Sequence, residues 1–152
     1  MTDITTKIPT TIPTPTPITL VLLDPTSDDG ESALTLLDDS DRLVMLLVLL
    51  SGPASRSLRD FARAEEIDMS TAGWRYLEQV VQRLALAPDQ LLAMAASGPS
   101  AATELADIAA TNHVHRVLLP SSVDRLEPGL AGVLARSVTA PTLTATMYAH
   151  AG

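Results

Sequence analysis

The chain has 152 residues, a net charge of −8, no cysteine and an aromatic content of only 3%. This length is sufficient for one domain with a buried core, which must be built mainly from Leu, Val, Ile and Ala. The absence of cysteine excludes disulfides and thiolate metal sites, and the ten scattered basic residues do not form the cationic cluster that binds nucleic acid phosphates. We therefore expect a cytoplasmic protein that does not bind nucleic acid.

The first seventeen residues, MTDITTKIPTTIPTPTP, are rich in Thr and Pro. Repeated prolines remove backbone donors and fix φ, which disfavours both helices and central strands. We interpret residues 1–17 as a disordered or polyproline-like tail and residues 18–149 as a single α/β domain. A basic stretch followed by an apolar run does not occur in this segment, so a signal peptide is not predicted.

Two buried strands are predicted in the first third of the domain. The runs ITLVLLD, which stops before Pro25, and DRLVMLLVLLSG are continuously apolar, as is typical of strands covered on both faces. Between them, Thr26 is a suitable cap for a short helix over DDGESALTLL. The most apolar run, Leu43 to Leu50, is eight residues long. Because a membrane span needs about 20 residues, we expect no membrane association.

Helical periodicity dominates the middle of the chain. A helix is predicted from Ser55 to Ile67 and a stronger one from about Thr71 to Leu86, with an interruption at residues 68–70. Apolar spacings of three and four place Leu58, Phe61, Ala62 and Ile67 on the inner face of the first helix and Trp74, Leu77, Val81 and Leu84 on that of the second. Trp74 is most simply a core residue, and a partner surface is the alternative. Gln90 to Ala96 is predicted as a third strand.

The last third of the chain alternates helix and strand. A helix capped by Ser100 and ending at Asn112 precedes the strand HRVLLP, and a helix from Glu127 to Val138 precedes the strand TLTATMY. This alternation predicts an α/β fold with an open, doubly wound, parallel five-stranded sheet and helices on both faces. Ligands of such sheets bind beyond the carboxyl ends of the strands, so the loops that follow the strands are the places to look for a site.

Three stretches resemble the universal stress protein family and together cover about residues 18–148. The first strand ends in LDPT and runs into SDDGESAL, while GPSAATELADIAATNHVHRVLLPSS is similar to the family's third helix and fourth strand. LAGVLARSVTAPTLTA is similar to its closing segment, with Ala140-Pro141 at the family's Cys-Pro position. The resemblance implies a universal-stress-protein-like fold. From the nucleotide-binding members it also implies that Asp24 lies where their base and ribose bind.

The loop that holds phosphates in those members departs from the family pattern here. Their G-x2-G-x9-G-[S/T] sequence lets backbone N–H groups approach the phosphates, which a Cβ atom obstructs. In PSSVDRLEPGL, Pro120 stands at the first glycine and Val123 at the second, and Pro128-Gly129 is the nearest match to the final Gly-Ser. Asp124 and Glu127 add negative charge. The resemblance therefore implies a degenerate ATP-binding loop.

Other donors remain in the same loop. Ser121 and Ser122 carry hydroxyls, and a helix that starts near Pro128 directs N–H groups toward the crevice. We therefore take as the candidate ligand crevice Asp24, Ser121, Ser122 and Gly129. No cofactor is expected, with ATP or AMP as the alternative.

The sequence predicts neither a metal site nor a catalytic group. His113 and His115 share one face of a strand but lack a third ligand, and the acidic residues 38, 39 and 41 lack the spacing of a calcium loop and are interpreted as a solvated turn. The chain has no Gly-x-Ser-x-Gly nucleophile elbow.

Three functional hypotheses follow. The first is a non-catalytic, universal-stress-like regulatory or interaction module that forms a homodimer through its last strand, Thr142 to Tyr148, or binds another protein. The second is an adenine-nucleotide or other small-ligand binder, or a hydrolase, with different phosphate contacts. In the third, the resemblance extends to the fold alone, because flavodoxin-like and other doubly wound proteins share this alternation.

Overall fold

The computed structural model describes residues 17–25, 31–38, 41–50, 52, 55–84, 88–98 and 100–145, apart from the side chains of residues 88, 124 and 125. Residues 1–16 of the predicted tail, the predicted cap Thr26 and the end of the last predicted strand, residues 146–148, lie outside these ranges.

Five strands alternate with helical connections. The strands are β1 (Ile18–Leu23), β2 (Leu43–Leu49), β3 (Leu91–Ala96), β4 (Val114–Leu119) and β5 (Thr142–Thr144). The helices are α1 (Arg56–Glu65), α2 (Met69–Arg83), α3 (Ala101–Thr111), the one-turn α4 (Val123–Leu126) and α5 (Leu130–Ser137). Two 3-10 helices, Ser32–Leu36 and Pro88–Gln90, precede β2 and β3. Among the described residues, no helix is both long and apolar enough to span a membrane.

All neighbouring strands are parallel, in the order β3-β2-β1-β4-β5. This arrangement confirms the predicted α/β fold with a doubly wound five-stranded sheet. The chain moves in one direction from β1 to β3 and then returns to place β4 on the other side of β1. The switch point therefore lies between the carboxyl ends of β1 and β4.

The core consists of two apolar layers, one on each face of the sheet. Helices α3, α4 and α5 pack on the first layer, and α1, α2 and the 3-10 helix Ser32–Leu36 pack on the second. Along β1, Leu20 and Leu22 belong to the first layer, whereas Val21 and Leu23 belong to the second. The central strands are thus buried on both faces, which explains why their sequences are apolar without alternation.

The predicted interruption at residues 68–70 is instead a helix start. Glu66 adopts a left-handed conformation, with φ of 56°, and ends α1. Asp68 then caps α2, because its carboxylate accepts a hydrogen bond from the backbone N–H of Thr71 at 2.7 Å. This hydrogen bond lowers the pKa of the Asp68 carboxyl. As a result α2 begins at Met69, two residues earlier than predicted.

The predicted inner face of α2 is wrong at Trp74, whose surface is 44% exposed. The residues of α2 that face the sheet are small or aliphatic: Ala72, Gly73, Leu77 and Val80. A Cβ atom at Gly73 would lie 2.6 Å from Leu50 Cδ2, so the helix approaches the sheet through its glycine. This close approach turns Trp74 toward the β3 edge. Phe61 of α1, also predicted to face inward, is 36% exposed.

The segment predicted as one helix from Glu127 to Val138 is preceded by a separate helical turn, α4, and the longer helix α5 begins only at Leu130. Glu127 is extended, and Gly129 has a φ of 73°, a left-handed conformation that favours glycine. These residues break the helix and reorient the chain. The helix predicted after β1 is a single 3-10 turn over the described residues 32–36.

A buried ion pair closes the amino end of the sheet. The Asp41 carboxylate accepts hydrogen bonds from Thr19 Oγ1 at 2.6 Å, from Arg116 Nε at 2.9 Å and from the Asp38 N–H at 2.8 Å. Asp41 is only 6% exposed, so the prediction of a solvated turn is wrong at this residue. Burial by itself raises the pKa of Asp41, but the hydrogen bonds from Arg116, Thr19 and Asp38 outweigh it, and the net pKa is lowered.

Candidate functional site

The switch point brings together two of the predicted crevice residues. Asp24 directly follows β1, and Ser122 follows β4 and precedes the short helix α4. Ser122 Oγ donates a hydrogen bond to Asp24 Oδ2 at 2.7 Å. Asp24 is fully buried and Ser122 is 4% exposed. The Asp24 carboxylate therefore has a partner from its own chain at the position where the resemblance implies a base and ribose.

Ser121, the third predicted residue, contacts a residue that the sequence did not single out. Its backbone N–H donates to Ser32 Oγ at 2.8 Å, and Ser32 Oγ lies 3.3 Å from Ser121 Oγ. Ser32 begins the 3-10 helix that follows β1. Ser32 and Ser121 are 89 residues apart, so no local pattern predicts their contact. In the sequence, only the position of Ser32 in the connection after β1 indicated that it could lie near the site.

The loop after β4 contains an internal backbone hydrogen bond. The N–H of Val123 donates to the carbonyl of Pro120 at 3.0 Å. The Val123 side chain is 3% exposed and packs in the core with Leu126. At the position that the resemblance assigns to the second glycine, this chain thus has a buried apolar side chain.

Glu127 has a role that the sequence did not predict. Its Oε1 accepts the backbone N–H of Ala101 at 2.9 Å, and Ser100 Oγ lies 3.5 Å from its Oε2. A carboxylate at a helix N-terminus interacts favourably with the helix dipole. Glu127 is therefore an anionic cap for α3, supplied by the loop before α5. The cap is 26 residues from Ala101 along the chain, which hides it from local sequence patterns.

Gly129 lies apart from the other three predicted residues. It is exposed and precedes α5, where its carbonyl accepts the N–H of Val133 at 3.0 Å. Among the described residues, no hydrogen bond joins Gly129 to Asp24, Ser121 or Ser122. The structure thus brings three of the four predicted residues together.

A cavity of about 150 Å³ lies next to this cluster, between the turn after β1 and helices α1 and α2. Its lining includes Pro25, Ser57, Phe61, Tyr76 and Gln79. Ser57 Oγ donates to the Pro25 carbonyl at 2.9 Å. Burial, together with the charges of Glu31 and Asp24, raises the pKa of Tyr76, so its hydroxyl keeps its proton and can donate. Typical ligand pockets are larger, roughly 300–1,000 Å³.

The histidines predicted to lie at the entry to β4 have separate environments. His113 is exposed with a φ of 53°, and His115 Nδ1 lies 3.1 Å from the carbonyl of Ile18. Over the ranges that the structure describes, no group of three His, Asp or Glu residues is placed to hold a metal ion.

Replacing Ser122 by Ala should lower the free energy of unfolding by about 1–3 kcal/mol, because it removes a donor from the fully buried Asp24 carboxylate. Urea unfolding at neutral pH measures this difference. Ser70→Ala is a matched control, because it removes an exposed hydroxyl from the first turn of α2. An equal loss in the two variants would contradict the buried contact.

Comparisons with known proteins support the fold. No protein-family model matches the chain, and no curated protein matches its sequence. The hypothetical protein MJ0577, the subject of a structure-based assignment of biochemical function, is 16% identical, with a TM-score of 0.61 over 86% of this chain and 96% of that one. The hypothetical protein PH0823 is 16% identical, with a TM-score of 0.53 over 85% of this chain and 95% of that one. The chain therefore has the universal-stress-protein-like α/β fold of these two structures.

Proposed function

We propose that the chain is a non-catalytic regulatory or interaction module in which contacts within the chain replace the phosphate site of nucleotide-binding universal stress proteins. One observation carries the proposal: the polar groups around the switch point bind each other. Ser122 donates to Asp24, the N–H of Ser121 donates to Ser32, and Glu127 accepts the N–H of Ala101.

Phosphate binding at this edge of the sheet would have to displace these contacts. A phosphate needs N–H or hydroxyl donors, and the N–H groups of Ser121 and Val123 already donate to Ser32 and Pro120. The Glu127 carboxylate adds like-charge repulsion at the start of α3. Each displaced hydrogen bond costs about 1 kcal/mol net, and more where a buried group is left without a partner. The lost hydrogen bonds and the charge repulsion therefore oppose nucleotide binding at this loop.

The second candidate function is binding of an adenine nucleotide or another small ligand through different contacts. Asp24 at the switch point, together with the cavity beside Pro25 and Tyr76, favours it. In this case the ligand would displace Ser122 from the Asp24 carboxylate.

Calorimetry and thermal shift with ATP, AMP and sulfate separate the two functions. At a ligand concentration 100 times its Kd, binding would stabilise the native state by about 2.7 kcal/mol, which is readily detected. We expect no saturable heat and no thermal shift from any of the three at millimolar concentration. Saturable ATP or AMP binding that is lost in Asp24→Ala but kept in Asp107→Ala, an exposed carboxylate on α3, would establish the second function instead.

A homodimer through the last strand is part of the proposal. In the described residues β5 pairs with β4 alone and forms one edge of the sheet. Leu143 is 42% exposed on this short strand. An unprotected strand edge has backbone groups available for pairing with a second chain, and a two-fold axis would let the same strand pair with itself. Of the predicted interface, residues 142–145 belong to the described part of the chain.

A further inference from the structure

The opposite edge of the sheet carries a groove that the proposed function does not use. It lies between α2 and the edge strand β3, has a volume of about 280 Å³, and is lined by Trp74, Leu77, Glu78, Val81, Gln82 and Ala93. We call it the Trp74 groove. Helix α1 packs on the other side of α2, along the cavity that contains Phe61 and Tyr76, so it leaves the Trp74 side uncovered.

The Trp74 groove combines an aromatic surface with polar groups on its rim. Trp74 is 44% exposed, and Leu77, Val81 and Ala93 form the apolar floor. In the part of the chain that the structure describes, the Trp74 indole N–H, the Gln82 amide and the Glu78 carboxylate make no side-chain hydrogen bond or ion pair. A flat indole with a free N–H is suited to polyproline segments, because proline rings stack on its face and a backbone carbonyl of the segment can accept a hydrogen bond from its N–H.

The chain itself contains a segment with these properties. Residues 7–17, KIPTTIPTPTP, have prolines at positions 9, 13, 15 and 17 and a single charge at Lys7. Proline favours the extended polyproline conformation before binding, which reduces the entropy lost on docking. Lys7 is opposite in charge to Glu78. Residues 7–17 thus contain prolines that can stack on the Trp74 indole and a lysine that can pair with the Glu78 carboxylate.

The segment is long enough to reach the groove. Pro17 directly precedes β1, and β3 is two strands away, about 10 Å across the sheet. Ala93 of β3 pairs with Leu46 of β2, and this pair lies three residues further along the strands than Ile18. The offset adds about 10 Å to the distance from Pro17 to the groove. Ten residues in the polyproline conformation span about 30 Å, which leaves length to pass beside α2.

We propose that the Thr/Pro-rich segment, residues 7–17, docks in the Trp74 groove of its own chain, with prolines on the Trp74 indole and Lys7 beside Glu78. A proline-rich segment of another protein would then have to compete with an intramolecular ligand present at an effective concentration near millimolar. The segment therefore acts as a built-in inhibitor of this surface. The inference is independent of nucleotide binding at the switch point.

Trp74 is the only tryptophan of the chain, so its fluorescence reports on this groove alone. Acrylamide quenching should be compared between the full-length protein and its variant Pro9→Ala, Pro13→Ala, Pro15→Ala. We expect the quenching constant to increase about two-fold in the variant, because the exposed 44% of Trp74 is no longer covered by stacked prolines. The control Thr10→Ser, Thr14→Ser keeps the prolines and should match the wild type. Equal constants in all three proteins would overturn the proposal.

A charge swap tests the predicted position of Lys7. Glu78→Lys and Lys7→Glu should each increase quenching, and the double variant should restore it, since the pair is then reversed but complementary. Asp60→Lys, an exposed site on α1 away from the groove, controls for the change in net charge. Independent, additive effects of the two substitutions would contradict a contact between them.

Protein concentration identifies the occupant of the groove. Docking within one chain predicts a quenching constant that does not change between about 1 and 100 μM. A constant that falls as concentration rises would assign the groove to a second copy and overturn the intramolecular proposal. A synthetic peptide of residues 5–17 should also reduce quenching of the triple Pro→Ala variant in a saturable way, and no response to the peptide would count against the groove as its site.

Discussion

Replacing Asp41 by Asn is expected to lower the free energy of unfolding by about 3–5 kcal/mol. The Asp41 carboxylate accepts hydrogen bonds from Thr19, Arg116 and the Asp38 N–H, and both it and Arg116 are largely buried. The N–H groups of an Asn amide would face some of these donors. The Arg116 guanidinium would lose its buried anion and keep only the exposed Asp38 carboxylate, 3.7 Å away. The pair ties β1 to β4 and to the segment before β2, so its loss weakens three elements together.

Asp38→Asn is the matched control for this prediction. Its carboxylate lies 3.7 Å from Arg116 and is 60% exposed, whereas the Asp41 side chain is 1% exposed. An exposed pair of this kind contributes less than about 1 kcal/mol. Urea unfolding of the three proteins measures the difference. A loss of less than about 1 kcal/mol in Asp41→Asn would contradict the buried pair.

The same pair makes stability depend on pH. The pKa of Asp41 is lower in the folded protein than in the unfolded chain, where an Asp has a pKa of about 3.9. Its stabilisation is therefore complete above about pH 4 and is lost as the pH falls through the folded-state pKa. The difference in stability between the wild type and Asp41→Asn should be full at pH 7 and become smaller below about pH 4.

Replacing Thr144 by Pro should weaken the proposed dimer about 100-fold. The Val117 N–H donates to the Pro141 carbonyl at 2.8 Å, and the Ala145 N–H donates to the Leu119 carbonyl at 2.9 Å. Because strand residues alternate, the backbone groups of Thr144 point away from β4, toward the second chain. Proline there removes the outward N–H, and two-fold symmetry repeats the loss. Two hydrogen bonds and a steric clash together correspond to about two powers of ten in Kd.

Light scattering at tens of micromolar checks this prediction. We expect a dimer for the wild type and for Thr144→Ala, which keeps the N–H, and a monomer for Thr144→Pro. Unchanged far-ultraviolet circular dichroism would show that pairing of β5 with β4 survives. A monomeric wild type would contradict the proposed interface, and a dimeric Thr144→Pro variant would place it elsewhere.

The helix boundaries show where local sequence information was insufficient. Asp68 was interpreted as part of an interruption, yet it is the N-cap of α2. The apolar spacing of α2 placed Trp74 in the core, but the buried face is the one that contains Gly73. Helical spacing shows which apolar residues share a face, but it does not determine how closely the helix packs against the sheet. That distance depends on Leu50 and Ala95 of the neighbouring segments.

The sequence by itself determined the order of the strands along the chain and the parallel doubly wound sheet, whereas Asp24 and the loop after β4 were indicated by the resemblance to universal stress proteins. Continuous apolar runs and their spacing carry that information because strand burial and chain connectivity are local properties. Only the tertiary structure decided which polar groups meet there. Ser32 with Ser121, Glu127 with Ala101, and Asp41 with Arg116 are between 26 and 89 residues apart. Such pairs form because packing brings distant strand ends together, and no local pattern records them.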